Sequence, residues 1–192
     1  MTRLFKQLSN YSKGQTQEFV TQPENLDKLI QLSFLSHEIR ERVTCSVCGI
    51  IHNDTKLSFD AKDKKGRFVE IKTSYYDERS TKKINGYGSF SDFTHKRHQN
   101  LIDNNYKILV SCFFRADLLY ILEFDYVGKL AEHIEKNLNV VLPSGDVVNK
   151  YHRSIKFSYT HYKGSDIRKV YVRGNLDKYK QAFTKEFFSF MT

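Results

Sequence analysis

The chain has 192 residues, 40% of them hydrophobic, 14% aromatic and 28% charged, a balance that supports one substantial core and excludes a disordered chain. Thirty-one Lys and Arg against 22 Asp and Glu give a net charge of +9, so an anionic partner is expected. No apolar run approaches a membrane-spanning length and no strongly amphipathic basic helix stands out, which favours nucleic acid over a lipid surface.

In chain order, residues 1–22 read as a polar arm without the apolar region of a secretory signal. Together with three cysteines, an odd number, this predicts a reducing, cytoplasmic setting. A helix is predicted over 24–43. Pro23 stands near its start, Glu24 and Asp27 lie in its first turn, and Leu26, Leu29, Ile30, Leu35 and Ile39 follow at helical spacing. Leu32 and Phe34 widen the apolar surface, so one side is expected to meet the core and another a second subunit. Cys45 and Cys48 form a C-x-x-C flanked by His37 and His52. A structural zinc site needs two such pairs, so these thiols are read as packing residues.

Leu57, Phe59 and Ala61 alternate with Ser58 and Asp60, and Phe68 to Thr73 alternates again after Asp63-Lys64-Lys65-Gly66. This predicts a β-hairpin. Side chains two apart share a face, so Glu70 and Lys72 project together while Val69 and Ile71 point to the opposite, apolar side. Asp60, close before the turn, can face the same pair. Two carboxylates held close are costly unless a cation or proton lies between them, and Mg²⁺ accepts one or two carboxylates plus phosphate oxygens while keeping several waters.

The segment from Tyr75 to Asn105 reads as a long polar loop, and a loop of that length in a compact domain usually has a job. Within it Thr94, His95, Lys96, Arg97, His98, Gln99 and Asn100 combine cations with groups able to read base edges, the candidate DNA-recognition segment. Gly86 and Gly88 lack the rest of a phosphate-binding fingerprint, so no nucleotide cofactor is expected. Two buried strands follow, over Tyr106–Phe114 and Leu118–Phe124, separated by Arg115-Ala116-Asp117 and leading into a helix up to Ile134. A short strand and turn at Val140 to Asp146, strands at Ile155–Tyr159 and Val170–Val172, and a helix from Leu176 to Phe190 complete the chain. Between Lys150 and Arg173 seven Lys or Arg stand against one acid, a stripe able to follow a nucleic-acid backbone.

The array Asp60-x9-Glu70-x-Lys72, with the strand, strand and helix after it, resembles the PD-(D/E)xK nuclease superfamily and within it the small PvuII-like type II restriction endonucleases. The resemblance covers roughly Lys56 to Ile134, and Phe59 stands where the superfamily has its nominal proline. It implies an α/β (α+β) fold, a mixed central sheet flanked by helices with a restriction-endonuclease-like core and a catalytic hairpin. It also implies that Asp60, Glu70 and the backbone carbonyl of Ile71 ligate Mg²⁺, and that Lys72 positions the attacking water. In relatives a helical glutamate sometimes reaches the metal, and of Glu38 and Glu41 the candidate is Glu38.

The chain thus reads as a single endonuclease domain over 1–192, with a catalytic core at 56–134 and C-terminal strands and helix at 140–192. The expected activity is Mg²⁺-dependent cleavage of double-stranded DNA at a short specific sequence by a homodimer. The alternatives are a structure-specific nuclease of the same superfamily, such as a resolvase or repair enzyme, and a non-catalytic basic DNA-binding protein.

Overall fold

The computed structural model describes residues 27, 30–55, 59–139 and 152–192. Lys56 to Ser58 of the predicted hairpin, the arm at 1–22 and the predicted strand and turn at Val140 to Asp146 lie outside the described residues.

Helix α1 spans His37–Cys48, later than predicted. Residues 30–33 are helical, but the backbone turns at 34–36 and Ser36 caps a new helix. That helix runs past position 43 to Gly49, whose left-handed φ of 64° lets Ile50 N–H reach back to the Cys45 carbonyl. The buried positions of α1 are Arg40, Glu41, Thr44 and Cys45, whereas Ile39 and Val47 are exposed. It meets the sheet through hydrogen bonds, from Arg40 Nε to Thr73 Oγ1 at 3.0 Å and between Thr44 Oγ1 and Ser111 Oγ at 2.8 Å.

The strands β1 (Ile51–His52), β2 (Ala61–Lys62), β3 (Phe68–Tyr76), β5 (Lys107–Phe114), β6 (Asp117–Asp125) and β8 (Arg168–Val172) form one sheet in the order β1-β2-β3-β5-β6-β8. β3 and β5 are parallel and every other neighbouring pair is antiparallel, so the fold is α/β with a mixed central sheet. The predicted hairpin is present as β2 and β3. Its turn is tied by Asp63, whose Oδ1 accepts the N–H groups of Lys65 and Arg67, with Gly66 at a φ of 79°.

The predicted polar loop at 75–105 is mostly regular structure. β3 runs to Tyr76, β4 spans Gly88–Phe93 and α2 spans His95–Asp103. β4 pairs antiparallel with β7 (His152–Phe157) in a separate two-stranded sheet, held by Phe90 and Phe93, both fully buried. Few apolar residues sufficed because two phenylalanines carry the packing, each able to bury a large area.

Two cores lie on opposite faces of the main sheet. Cys45, Ala61, Val69, Ile71, Leu109 and Ile121 pack on the α1 face. The larger core on the other face is rich in aromatics, among them Phe90, Phe93, Tyr106, Phe124, Tyr126, Tyr162 and Phe187, and takes in helix α3 (Gly128–Leu138). After the short helix α4 (Tyr159–Tyr162) and β8, the predicted C-terminal helix divides into a 3₁₀ segment, Leu176–Ala182, and helix α5, Lys185–Met191. The division falls at Phe183, where Ile84 N–H bonds the Ala182 carbonyl at 2.7 Å and Thr184 N–H bonds the Ile84 carbonyl at 2.9 Å. Tyr179, Phe183, Phe187 and Phe188 are buried there, as their spacing suggested.

Among the described residues no helix is long and apolar enough to cross a membrane.

Candidate active site

The alternation along β3 turns Val69 and Ile71 into the α1-side core and leaves Glu70 and Lys72 on the other face. Glu70 is 1% exposed. Its Oε1 accepts from Lys72 Nζ at 2.6 Å and from Arg97 at 2.6 Å, while Oε2 is buried with no hydrogen-bond partner. Strand β4 sits beneath both cations: Lys72 Nζ lies 4.8 Å from the Phe90 ring centroid, and the Arg97 guanidinium 5.3 Å from that of Phe93.

Asp60 stands one residue before β2, and its Oδ2 accepts the Ile71 N–H at 2.7 Å. The register Ala61↔Val69 makes this possible, because β2 has no residue opposite Ile71 and the Asp60 side chain takes the free donor. N–H and C=O of one strand residue point to the same side, so the Ile71 carbonyl also faces Asp60 rather than β5. Burial and the neighbouring Glu70 carboxylate push Asp60 up to about 6, against the pull of Lys72 and the Ile71 N–H.

Glu41 of α1 adds a smaller field that also raises Asp60. Its own carboxyl is buried, yet hydrogen bonds from His37 at 3.0 Å and His52 at 3.5 Å outweigh the desolvation and hold it below the usual range. Glu38, the predicted additional acid, lies on the exposed side of α1 and pairs with Arg42 at 3.1 Å. The acid that α1 turns inward is the one three residues later.

The predicted recognition segment is the N-terminal part of α2, capped by Thr94, whose Oγ1 accepts Arg97 N–H at 3.1 Å. Most of its side chains are committed internally. Arg97 joins Glu70, buried His98 bonds Tyr126 at 2.8 Å, and Asn100 donates to Tyr106 at 3.3 Å. Gln99 donates to Asp103 and His95 meets Asn139 at 2.9 Å. His95, Lys96 and Gln99 are exposed. Arg97, expected among the DNA-contacting residues, is held by Glu70 in the candidate site. Its signal was position alone, one turn into a helix whose preceding strand packs under Glu70.

The C-terminal basic stripe is partly neutralised from within, with Arg168 on Glu123 and Lys163 on Glu186 at 2.8 Å each and Arg173 on Asp117 at 3.0 Å. Cys45 and Cys48 are free thiols. Burial pushes them up to about 12 and about 11.

Among the described residues no three His, Cys, Asp or Glu side chains converge on a metal position. The two-carboxylate set of Asp60 and Glu70 is nonetheless the donor pattern of Mg²⁺, which fills its remaining positions with water and backbone or phosphate oxygens. Glu70 Oε2 has no partner and burial beside Glu70 holds Asp60 above the usual carboxylate range, and a bound cation would relieve both.

No protein-family model matches the chain, and no curated protein matches it.

Proposed function

We propose that the protein is a Mg²⁺-dependent endonuclease of the type II restriction kind, hydrolysing phosphodiester bonds of double-stranded DNA at a short specific sequence. The observation that carries the reading is the meeting of Asp60, Glu70 and Lys72 at adjoining strands, with one buried Glu70 oxygen left without a partner. The order α1, β1, β2, β3, then β4, α2 and the parallel strand β5, fits a restriction-endonuclease-like core with its catalytic hairpin at β2–β3.

Asp60, Glu70 and the Ile71 carbonyl would hold the divalent ion, which when bound supplies a water of lowered pKa and neutralises charge on the phosphate. Lys72, fixed by Glu70 Oε1 and the Phe90 face, orients the attacking water and offsets charge on the phosphorane-like transition state. Arg97 supplies a second cation at the same carboxylate oxygen. No side chain is needed as nucleophile. Cleavage of both strands of a palindrome further implies a homodimer.

The test is Mg²⁺-dependent digestion of a long duplex by the wild type and by Asp60→Ala, Glu70→Ala and Lys72→Ala. Loss of several kcal/mol of transition-state stabilisation predicts a drop of roughly 10³-fold or more in each variant. Discrete bands mark restriction, whereas cutting confined to junctions or flaps marks a structure-specific enzyme. Full activity in any of the three variants sinks the site.

A further inference from the structure

Beyond Lys72, β3 continues for four residues with no strand on one side. β2 pairs only with Phe68 and Val69 and Asp60 takes the Ile71 N–H, so among the described residues the edge from Thr73 to Tyr76 is open. The Tyr76 carbonyl accepts Arg115 N–H on the β5 side. Alternate strand residues direct their backbone groups to opposite sides, so those of Thr73 and Tyr75 face the open edge.

A cleft of about 840 Å³ lies along this edge. Arg40, Arg79, Lys82 and Lys83 line it, and among the described residues no acid does. Arg40 is held by Thr73 Oγ1 and the Phe34 carbonyl and forms part of the wall. Arg79, Lys82 and Lys83 are exposed at the mouth, Arg79 sharing Asp77 outside the cleft and Lys83 donating to the Gln181 carbonyl. Asn85 and Tyr87 complete the lining, and Asn85 Oδ1 is buried without a hydrogen-bond partner.

These are the groups that nucleic acid asks for, namely exposed cations and strand N–H groups for phosphates and a side-chain amide for a base edge. The cleft also begins on the strand that carries Glu70 and Lys72. Three residues of strand separate Lys72 from Tyr75, about 10 Å, or roughly three base steps of duplex. We propose that this cleft, and not the Thr94–Asn100 helix, grips the DNA strand flanking the cut, with its phosphates against Arg79, Lys82 and Lys83 and one base edge against Asn85. The inference rests on the nuclease reading for its substrate.

The experiment is fluorescence anisotropy of a labelled mixed-sequence DNA duplex without divalent ions, over a range of salt, paired with a Mg²⁺ digestion of the same proteins. For Lys82→Gln/Lys83→Gln, affinity falls about 10- to 100-fold and the slope of log affinity against log salt becomes shallower by about 2, at unchanged melting temperature. For Asn85→Ala, affinity falls about 10-fold at unchanged slope, since the lost contact carries no charge. Wild-type affinity and slope in the double variant overturn the cleft, and wild-type affinity in Asn85→Ala overturns the base contact. If the wild type cuts while the double variant binds and cuts equally well, the cleft fails and the nuclease reading stands. If the double variant loses binding but the wild type never cuts with Mg²⁺ or Mn²⁺, the cleft stands and the nuclease reading fails.

Discussion

Asp60 is the residue whose energetics bear most directly on the proposed site. A carboxyl whose folded value of about 6 lies above the usual Asp value near 4 binds its proton more tightly in the folded chain. Without divalent ions, the contribution of Asp60 to stability is therefore greatest below about pH 4, falls as pH rises through about 6, and stays lower above it, opposite in sign to that of acids held below their usual range such as Glu41. Asp60→Asn removes this one contribution, so in thermal melts in chelator the gain of the variant over wild type should grow as pH rises from about 4 to above 6, leaving the variant more stable at pH 7 to 8. Millimolar Mg²⁺ or Ca²⁺ should raise the melting temperature of the wild type and leave Asp60→Asn unmoved, since only a chain that binds the ion gains by mass action. A wild type indifferent to both ions would remove the metal from the proposal. At this scale the sequence was informative where spacing decides direction. The two-residue period put Glu70 with Lys72 and against Val69 and Ile71. It was uninformative where aim depends on another element: Arg97 reaches Glu70 across 27 positions, and which of Glu38 and Glu41 turns inward depends on where α1 begins.

Among the elements, β4 is the support on which the site depends. Its Phe90 and Phe93 carry the two cations that hold Glu70, and the chain leading into it passes Gly86 and Gly88. Gly86 has a φ of 71°, its carbonyl accepts from Tyr162, and a Cβ there would lie 2.1 Å from that hydroxyl. At Gly88 a Cβ would lie 2.3 Å from the Phe157 ring. Gly66 has a similar φ of 79° but open space. Gly66→Ala should thus cost only the left-handed penalty of about 1–2 kcal/mol, and Gly86→Ala that amount plus an overpacking cost of about 1–3 kcal/mol. Urea unfolding of the two variants measures the difference, and equal losses would show that the Gly86 approach does not matter. The sequence places these glycines in a polar loop because neither Tyr162 nor Phe157, some 70 positions onward, is visible from local composition. The long buried strands β5 and β6 were legible for the converse reason, since continuous apolar runs bounded by a turn need no distant partner to be recognised.

At the scale of the whole molecule, the charge of +9 is unevenly used. Several cations of the C-terminal stripe are paired with acids, whereas Lys82 and Lys83 at the β3 edge line a cleft with no acid among its described residues. If one chain supplies one cutting centre, sedimentation of the protein on a duplex carrying its cleavage sequence, in Ca²⁺, should give two chains per duplex. A complex of one chain per duplex would leave each turnover as a nick and sink the dimeric scheme. Among the described residues one flank of β3 is uncovered. A strand with unpaired N–H and C=O groups is a template on which a second copy could extend the sheet, and natural proteins guard such flanks with lysine. Here Arg79, Lys82 and Lys83 stand guard, so two molecules approaching flank to flank would bring like charges together. Replacing them with neutral residues would strip that protection, so the side chains proposed to grip DNA would also be what keeps the protein from zipping into aggregates.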